Sequence, residues 1–317
     1  MRSNSDELTF DFAPFIRLYK NGRIERLIGT EIVPPTTYNP QTGVSSKDII
    51  IIPGTGVSAR LFLPKIIDSS TQKLPLLFYI HGGAFCIDSP FSPTYDRYVS
   101  SLVAEANVVA VSVHYRRAPE YPVPIAFDDS WAALQWIASH SKGKGPELWL
   151  NEYADLSKIS MVGDSAGATI AHNMAIRAAE TPLEGLGFVG LGLIHPFFYH
   201  EEPVGPEVSD EEKKTKASKL WMVMCPSSIG CNDPLINPAA CDNLKGLVCK
   251  RVVICIAEKD RLIGGGVFYY ETLRKSGWKG EVELMEAQGE DHVFHLFNPT
   301  NQKALAMKTR LASLLNN

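Results

Sequence analysis

Gly163-Asp164-Ser165-Ala166-Gly167 sets a serine between two glycines, with an apolar β-like run, Ile159 to Val162, before it and helical spacing, Thr169 to Ala179, after it. In that setting a G-x-S-x-G sequence makes an exposed nucleophile. The glycines leave room for a tight turn, the serine is held in a strained backbone conformation, and the helix N-terminus that follows favours developing negative charge. A serine hydroxyl is a weak nucleophile at neutral pH, so the chemistry also needs a base for its proton and a carboxylate to orient that base. Acyl transfer further needs fixed N–H donors for the oxyanion. His81-Gly82-Gly83-Ala84, after the apolar run Leu76 to Ile80, offers a loop whose glycines let the main chain approach a substrate. The predicted donors are the N–H groups of Gly82, Gly83 and Ala166, with Ala84 beside them as a substrate contact.

In chain order the acid should follow the serine and the histidine should come last. Glu258 and Asp260 both follow the apolar run Val252 to Ile256, and His292 and His295 both follow Val282 to Met285 in a loop opened by Gly289. Position alone leaves both pairs open. Asp164 adjoins the nucleophile, but neighbouring side chains diverge in a sharp turn, so a structural hydrogen-bonding role is expected for it. His172 falls within the helix after the serine and His195 ends a strand beside Pro196, places that suit structural or pocket-lining roles. Phe85, Phe197, Phe198 and Trp221 are candidate walls of an apolar substrate pocket. The six cysteines are irregularly spaced, with no C-x-x-C pair and no close Cys/His group, so free thiols are expected and no metal site.

Holding these groups at one edge requires alternating strands and helices. Leu76 to Ile80, Val108 to Val113, Ile159 to Val162, Leu191 to Ile194 and Val252 to Ile256 are short, almost wholly apolar runs, the mark of strands covered on both faces. Between them Asp128 to Ser139 and Thr169 to Ala179 have helical spacing. The expected fold class is α/β: a mostly parallel sheet with helices on both faces, opened by an antiparallel hairpin of Ile49 to Ile52 and Ala59 to Leu63 around Pro53-Gly54-Thr55-Gly56. Residues 1–45 read as a packed arm that precedes regular structure and contributes to a cap. The polar stretch Glu201 to Lys219, with Ser209 and Glu212 as a capping box, reads as a cap insertion at about 200–230. A single domain over residues 1–317 is expected.

His81-Gly82-Gly83-Ala84-Phe85, Tyr115-Arg116-Arg117-Ala118-Pro119-Glu120 and Gly163-Asp164-Ser165-Ala166-Gly167 together resemble the hormone-sensitive-lipase branch of the α/β-hydrolases, and more narrowly the plant carboxylesterases. The resemblance extends to Arg23-Ile24-Glu25-Arg26-Leu27, Ser276-Gly277-Trp278-Lys279-Gly280-Glu281 and Asp291-His292-Val293-Phe294-His295. It implies Asp260 as the acid, His292 as the base, a small helical cap, no cofactor, and hydrolysis of small apolar carboxylic esters through Ser165. It also implies that the arginines and Glu120 of the Tyr115 segment brace the loop beneath the site by ion pairing. Ala168 stands where many relatives have glycine and is expected to affect helix packing more than chemistry. Two alternatives stay open within the resemblance. Some members of the group are 2-hydroxyisoflavanone dehydratases, in which a threonine sometimes replaces the serine, and gibberellin receptors share the fold but lack the catalytic histidine. Ser165 and His292 side with hydrolysis.

Bulk composition agrees. With 45% hydrophobic and 21% charged residues over 317, the chain can bury a full core. A net charge of −4 without a basic cluster argues against a nucleic-acid partner, and no segment approaches the roughly 20 apolar residues of a membrane span. Nothing near Met1 resembles a secretory signal. The expected setting is cytoplasmic, with a small-molecule ester as the partner; oligomeric state is not legible.

Overall fold

Side chains on a strand alternate between two faces, so an unbroken apolar run demands a cover on each. The computed structural model describes residues 7–66, 72–199 and 211–316, without the side chains of 211–216. A small sheet comes first: β1 (Leu8–Phe12), β2 (Ile16–Tyr19) and β3 (Ile24–Arg26). The main sheet is opened by β4 (Ser45–Ile52), β5 (Val57–Leu63) and β6 (Leu74–Ile80), followed by α1 (Pro93–Ala106), β7 (Val109–His114), α2 (Ile125–Ala138) and α3 (Leu148–Tyr153). Its centre is completed by β8 (Ala154–Asp164), α4 (Ala166–Glu180) and β9 (Phe188–Ile194). Beyond lie α5 (Glu211–Met224), β10 (Arg251–Ala257), α6 (Ile263–Lys275), β11 (Glu281–Ala287), α7 (Phe294–Phe297) and α8 (Gln302–Leu315).

The eight-stranded sheet runs β11-β10-β9-β8-β6-β7-β5-β4. The β4–β5 and β5–β7 pairs are antiparallel and the others parallel. On β6, Leu76, Phe78 and Ile80 enter one core while Leu77 and Tyr79 enter the other. β10 divides the same way, with Val252, Ile254 and Ile256 against Val253 and Cys255. Helices α2, α4 and α6 cover the first face, and α1 and α8 the second. This is the predicted α/β architecture, hairpin included. Ala168 is fully buried on the inner side of α4, a packing position as expected. Among the described residues no helix is long and apolar enough to cross a membrane.

Regular structure begins earlier than the sequence suggests. Instead of an arm without elements, residues 8–26 form the three-stranded antiparallel sheet. Its strands are only 3–5 residues long and half polar, too short for alternation to register. Packing holds them: Ile16 is fully buried, and Phe10, Phe12, Phe15 and Leu18 lie against the main core. The capping box at Ser209 lies outside the described residues, while α5 is described from Glu211 onward.

Parallel strands that all point one way deliver their loops to one edge of the sheet, where α/β folds place their sites. The carboxyl ends of β6, β8, β10 and β11 lead into His81, Ser165, Asp260 and His292 respectively.

Candidate active site

Ser165 lies between β8 and α4 with φ 52° and ψ −122°, a backbone conformation that costs a non-glycine residue on the order of 1–3 kcal/mol. The residues two before and two after it must be glycine for reasons of space. A Cβ on Gly163 would sit 2.4 Å from Gly167 O, and one on Gly167 would sit 2.1 Å from Ile80 O and 2.5 Å from His81 O. The first turn of α4 is therefore pressed onto the end of β6. The Ser165 N–H donates to Ile194 O at 2.8 Å, tying the turn to β9.

The structure brings Ser165, His292 and Asp260 together across three loops. His292 Nε2 is 3.0 Å from Ser165 Oγ, and His292 Nδ1 is 2.8 Å from Asp260 Oδ2. The other carboxylate oxygen of Asp260 accepts the Leu262 N–H at 2.8 Å, so both of its oxygens are engaged. An ionised carboxylate only accepts, so His292 Nδ1 carries the proton and Nε2 turns its lone pair to the serine hydroxyl. Burial works against the imidazolium, but the charge and hydrogen bond of Asp260, with Asp164 and Asp291 beyond, prevail and hold His292 above its ordinary 6.5. The alternatives lie elsewhere. Glu258 accepts the Gly289 N–H at 2.6 Å. His295 is buried against Tyr98, neither ring nitrogen has a hydrogen-bond partner among the described residues, and burial pushes it down to about 3.

The loop after β6 holds three successive residues at positive φ, Gly83 (93°), Ala84 (53°) and Phe85 (62°). Runs of left-handed backbone of this kind make concavities of N–H groups that suit anions. Among the described residues, the N–H groups of Gly83, Ala84 and Ala166 have no acceptor. Gly82 departs from the expectation that it donates to an oxyanion. Its N–H is already given to Tyr95 Oη at 2.9 Å. Glycine is needed there because a Cβ would fall 2.5 Å from Asp164 Oδ2.

Asp164 is the hub beneath this loop. Tyr79 donates to its Oδ1 at 2.8 Å and Tyr95 to its Oδ2 at 2.7 Å, the structural role expected for it. Sequence reasoning missed both tyrosines. Tyr79 falls in an apolar strand and Tyr95 in an unforeseen helix, and nothing in their spacing marks them. Burial raises the Asp164 carboxyl from 3.8 to about 6, against the lowering effect of the two tyrosine hydrogen bonds and the nearby His292. Between those values the folded state binds more protons than the unfolded chain. The stabilising contribution of this group is thus complete below 3.8 and is lost as pH rises through about 6. Urea unfolding of wild type and Asp164→Asn should therefore show their stability gap moving against wild type, by on the order of 3 kcal/mol from about pH 3 to about pH 7. A constant gap would rule out the raised carboxyl.

The Tyr115 segment braces the loop through ion pairs, as the resemblance implied. Arg26 Nε donates to Cys86 O at 2.6 Å, while its two terminal nitrogens grip Glu120 at 2.8 and 2.6 Å. Arg117 donates to Asp88 O at 2.8 Å, Arg116 pairs with Asp129, and Tyr115 Oη donates to His81 O and Gly82 O. The small sheet thus serves the site, since Arg26 belongs to β3.

Three of the four candidate wall aromatics cluster. The Phe85 ring lies 6.0 Å from Phe197 and 5.7 Å from Trp221, and the Phe197 N–H donates to Ser165 O. Phe198 goes the other way. It stacks on Tyr269 at 4.9 Å and meets His172 edge-on, between α4 and α6. Among the described residues, His195, Asp260 and His292 have donor atoms close enough, within 4.8 Å, to consider a cation. Those donors are engaged already: Asp260 and His292 bond each other, and His195 Nδ1 accepts the Val293 N–H at 2.8 Å.

Comparison with known proteins agrees with this architecture. A family model described as alpha/beta hydrolase fold matches residues 77–296. Probable carboxylesterase 2 of Arabidopsis thaliana is 46% identical over 318 residues, covering 100% of this chain and 99% of its own. 2-Hydroxyisoflavanone dehydratase of Glycyrrhiza echinata is 40% identical over 321 residues, covering 99% and 98%. Among solved structures, an esterase of Pyrobaculum calidifontis superposes with a TM-score of 0.70 at 26% identity, covering 86% of this chain and 84% of that one. With the strand order, the Gly163–Gly167 turn and full-length relatives in agreement, the chain belongs to the α/β-hydrolase family, in the group of plant carboxylesterases.

Proposed function

We propose that the protein hydrolyses small apolar carboxylic esters through an acyl-enzyme on Ser165, with His292 as base, Asp260 as its orienting acid, and the N–H groups of Gly83 and Ala166, joined by Ala84, as oxyanion donors. The observation that carries this reading is the unbroken relay from Ser165 Oγ through His292 to Asp260. His292 takes the hydroxyl proton as Ser165 attacks the ester carbonyl, and the carbonyl oxygen gains its charge beside the unpaired N–H groups. His292 then protonates the leaving alcohol and activates a water that releases the acid. Residues 1–45 and the segment at about 200–230 are read as a cap on a single catalytic unit. Contacts from Trp221 to Phe85 and from Arg26 to Cys86 support that reading. The six free thiols support a reducing compartment, and the cytoplasm is the one we propose.

The test is covalent. A fluorophosphonate should label purified protein once, on the peptide carrying Ser165, with loss of p-nitrophenyl acetate turnover in step; an unlabelled, inert protein would end the esterase reading. A lyase reading draws on the dehydratase relative, and it separates cleanly, because elimination of water needs a base and no nucleophile. Hydroxyisoflavanone turnover that survives Ser165→Ala would favour it.

The pH dependence follows from the sign of the histidine shift. His292 must be neutral to accept a proton, and its conjugate acid is held above 6.5. Plotted against pH, kcat/KM should therefore rise with an inflection above 6.5. Asp260→Asn removes the charge that raises it, so the inflection should move down while kcat falls by roughly 10⁴-fold, because the tautomer is no longer held. An inflection that stays put would contradict the coupling.

A further inference from the structure

One buried histidine beside the relay has no part in the chemistry above. His195 follows β9, is 1% exposed, and holds a left-handed φ of 47°. Its own N–H donates to Cys255 O of β10 at 2.8 Å, so its main chain is fixed to the sheet. Its ring reaches across to the loop after β11, where Nδ1 accepts the Val293 N–H at 2.8 Å. That N–H belongs to the peptide unit shared with His292, and Val293 is itself left-handed, at φ 46°. The two imidazoles lie 5.8 Å apart, tilted by 44°.

We propose that His195 is a positioning residue for the base: by holding the peptide between His292 and Val293 it sets the direction in which the His292 ring meets Ser165 and Asp260. The inference rests on the reading of His292 as base. A backbone N–H can only donate, so Nδ1 of His195 must present its lone pair and the proton must sit on Nε2. A protonated ring would oppose that N–H with a second donor. Burial excludes this by holding His195 well below 6.5, with the nearby His292 and His295 acting in the same direction against the pull of Asp260. Among the described residues Nε2 has no partner of its own, so the hydrogen bond the ring does make is the one to the His292 loop.

The test compares kcat, KM and thermal midpoint for p-nitrophenyl acetate in wild type, Ser165→Ala, His195→Asn and His195→Leu. Asparagine sets a carbonyl oxygen near the place of Nδ1 and tolerates positive φ, whereas leucine fills the space without an acceptor. His195→Asn should keep kcat within about threefold, while His195→Leu should lose roughly 10- to 100-fold in kcat with KM within about twofold. Equal losses in both variants, or a leucine variant with wild-type kcat, would overturn the assignment. Should His195→Leu not fold, nitrogen NMR of histidine-labelled wild type decides. An imidazole protonated at Nε2, unchanged from about pH 5 to about pH 9 and absent from His195→Asn, supports the role; a titrating or Nδ1-protonated ring refutes it. A folded wild type without Ser165-dependent turnover would instead bring down the hydrolase reading, and this inference with it.

Discussion

Ser165→Ala is expected to lower kcat on p-nitrophenyl acetate by roughly 10⁴- to 10⁶-fold while leaving the thermal midpoint close to that of wild type. Among the described residues the hydroxyl oxygen makes one side-chain hydrogen bond, to His292, so its removal disturbs little of the fold. His292→Ala should cost a similar factor, because a nucleophile without its base is as idle as a base without its nucleophile. The double variant should be no worse than either single one. If the two losses multiplied instead, Ser165 and His292 would be acting in separate steps and the relay seen at 3.0 and 2.8 Å would not be the working unit.

Gly167→Val should be the most damaging single change to stability. Its Cβ would fall 2.1 Å from Ile80 O and 2.5 Å from His81 O. Both are main-chain atoms at the end of β6 that no rotamer change can move. The helix would have to lift off the sheet at the point where α4, β6 and the oxyanion loop meet. A loss of more than about 4 kcal/mol is expected, or upwards of about 6 °C in thermal midpoint, together with loss of activity. Gly54→Ala is the control. A Cβ there meets nothing within 4 Å, so only its left-handed φ of 80° is strained and a loss of about 1 kcal/mol is expected. Equal losses at the two glycines would show that close approach is not what Gly167 provides.

Ser165 and the loops that carry Asp260 and His292 were legible because each follows a strand, and strand ends can be read from apolar runs; position left Glu258 and His295 open beside them, and the resemblance chose between them. The covered sheet was legible for the same reason, in the alternation of Leu76, Phe78 and Ile80 with Leu77 and Tyr79. Helix α6 was not. Its first turn, Ile263-Gly264-Gly265-Gly266, has poor helix propensity and does not mark a helix start. Space explains two of those glycines, since a Cβ at Gly265 would fall 2.5 Å from Phe198 O and one at Gly266 would fall 2.4 Å from the Ile256 side chain.

Sequence by itself determined the class of chemistry, because a serine between glycines, a glycine loop and a later acid and histidine are local patterns with local meaning. Only the tertiary structure decided which atoms are free to act. Gly82 reads as an oxyanion donor in one dimension, yet in three its N–H is given to Tyr95, a partner 13 residues away. Phe198 reads as a neighbour of Phe197 in one dimension, and in three it stacks on Tyr269, 71 residues further on. His195 reads as an ordinary strand-end histidine and is found holding a loop 98 residues further on. A hydrogen bond is a matter of distance and direction between two groups, and a chain order that leaves those groups far apart carries neither.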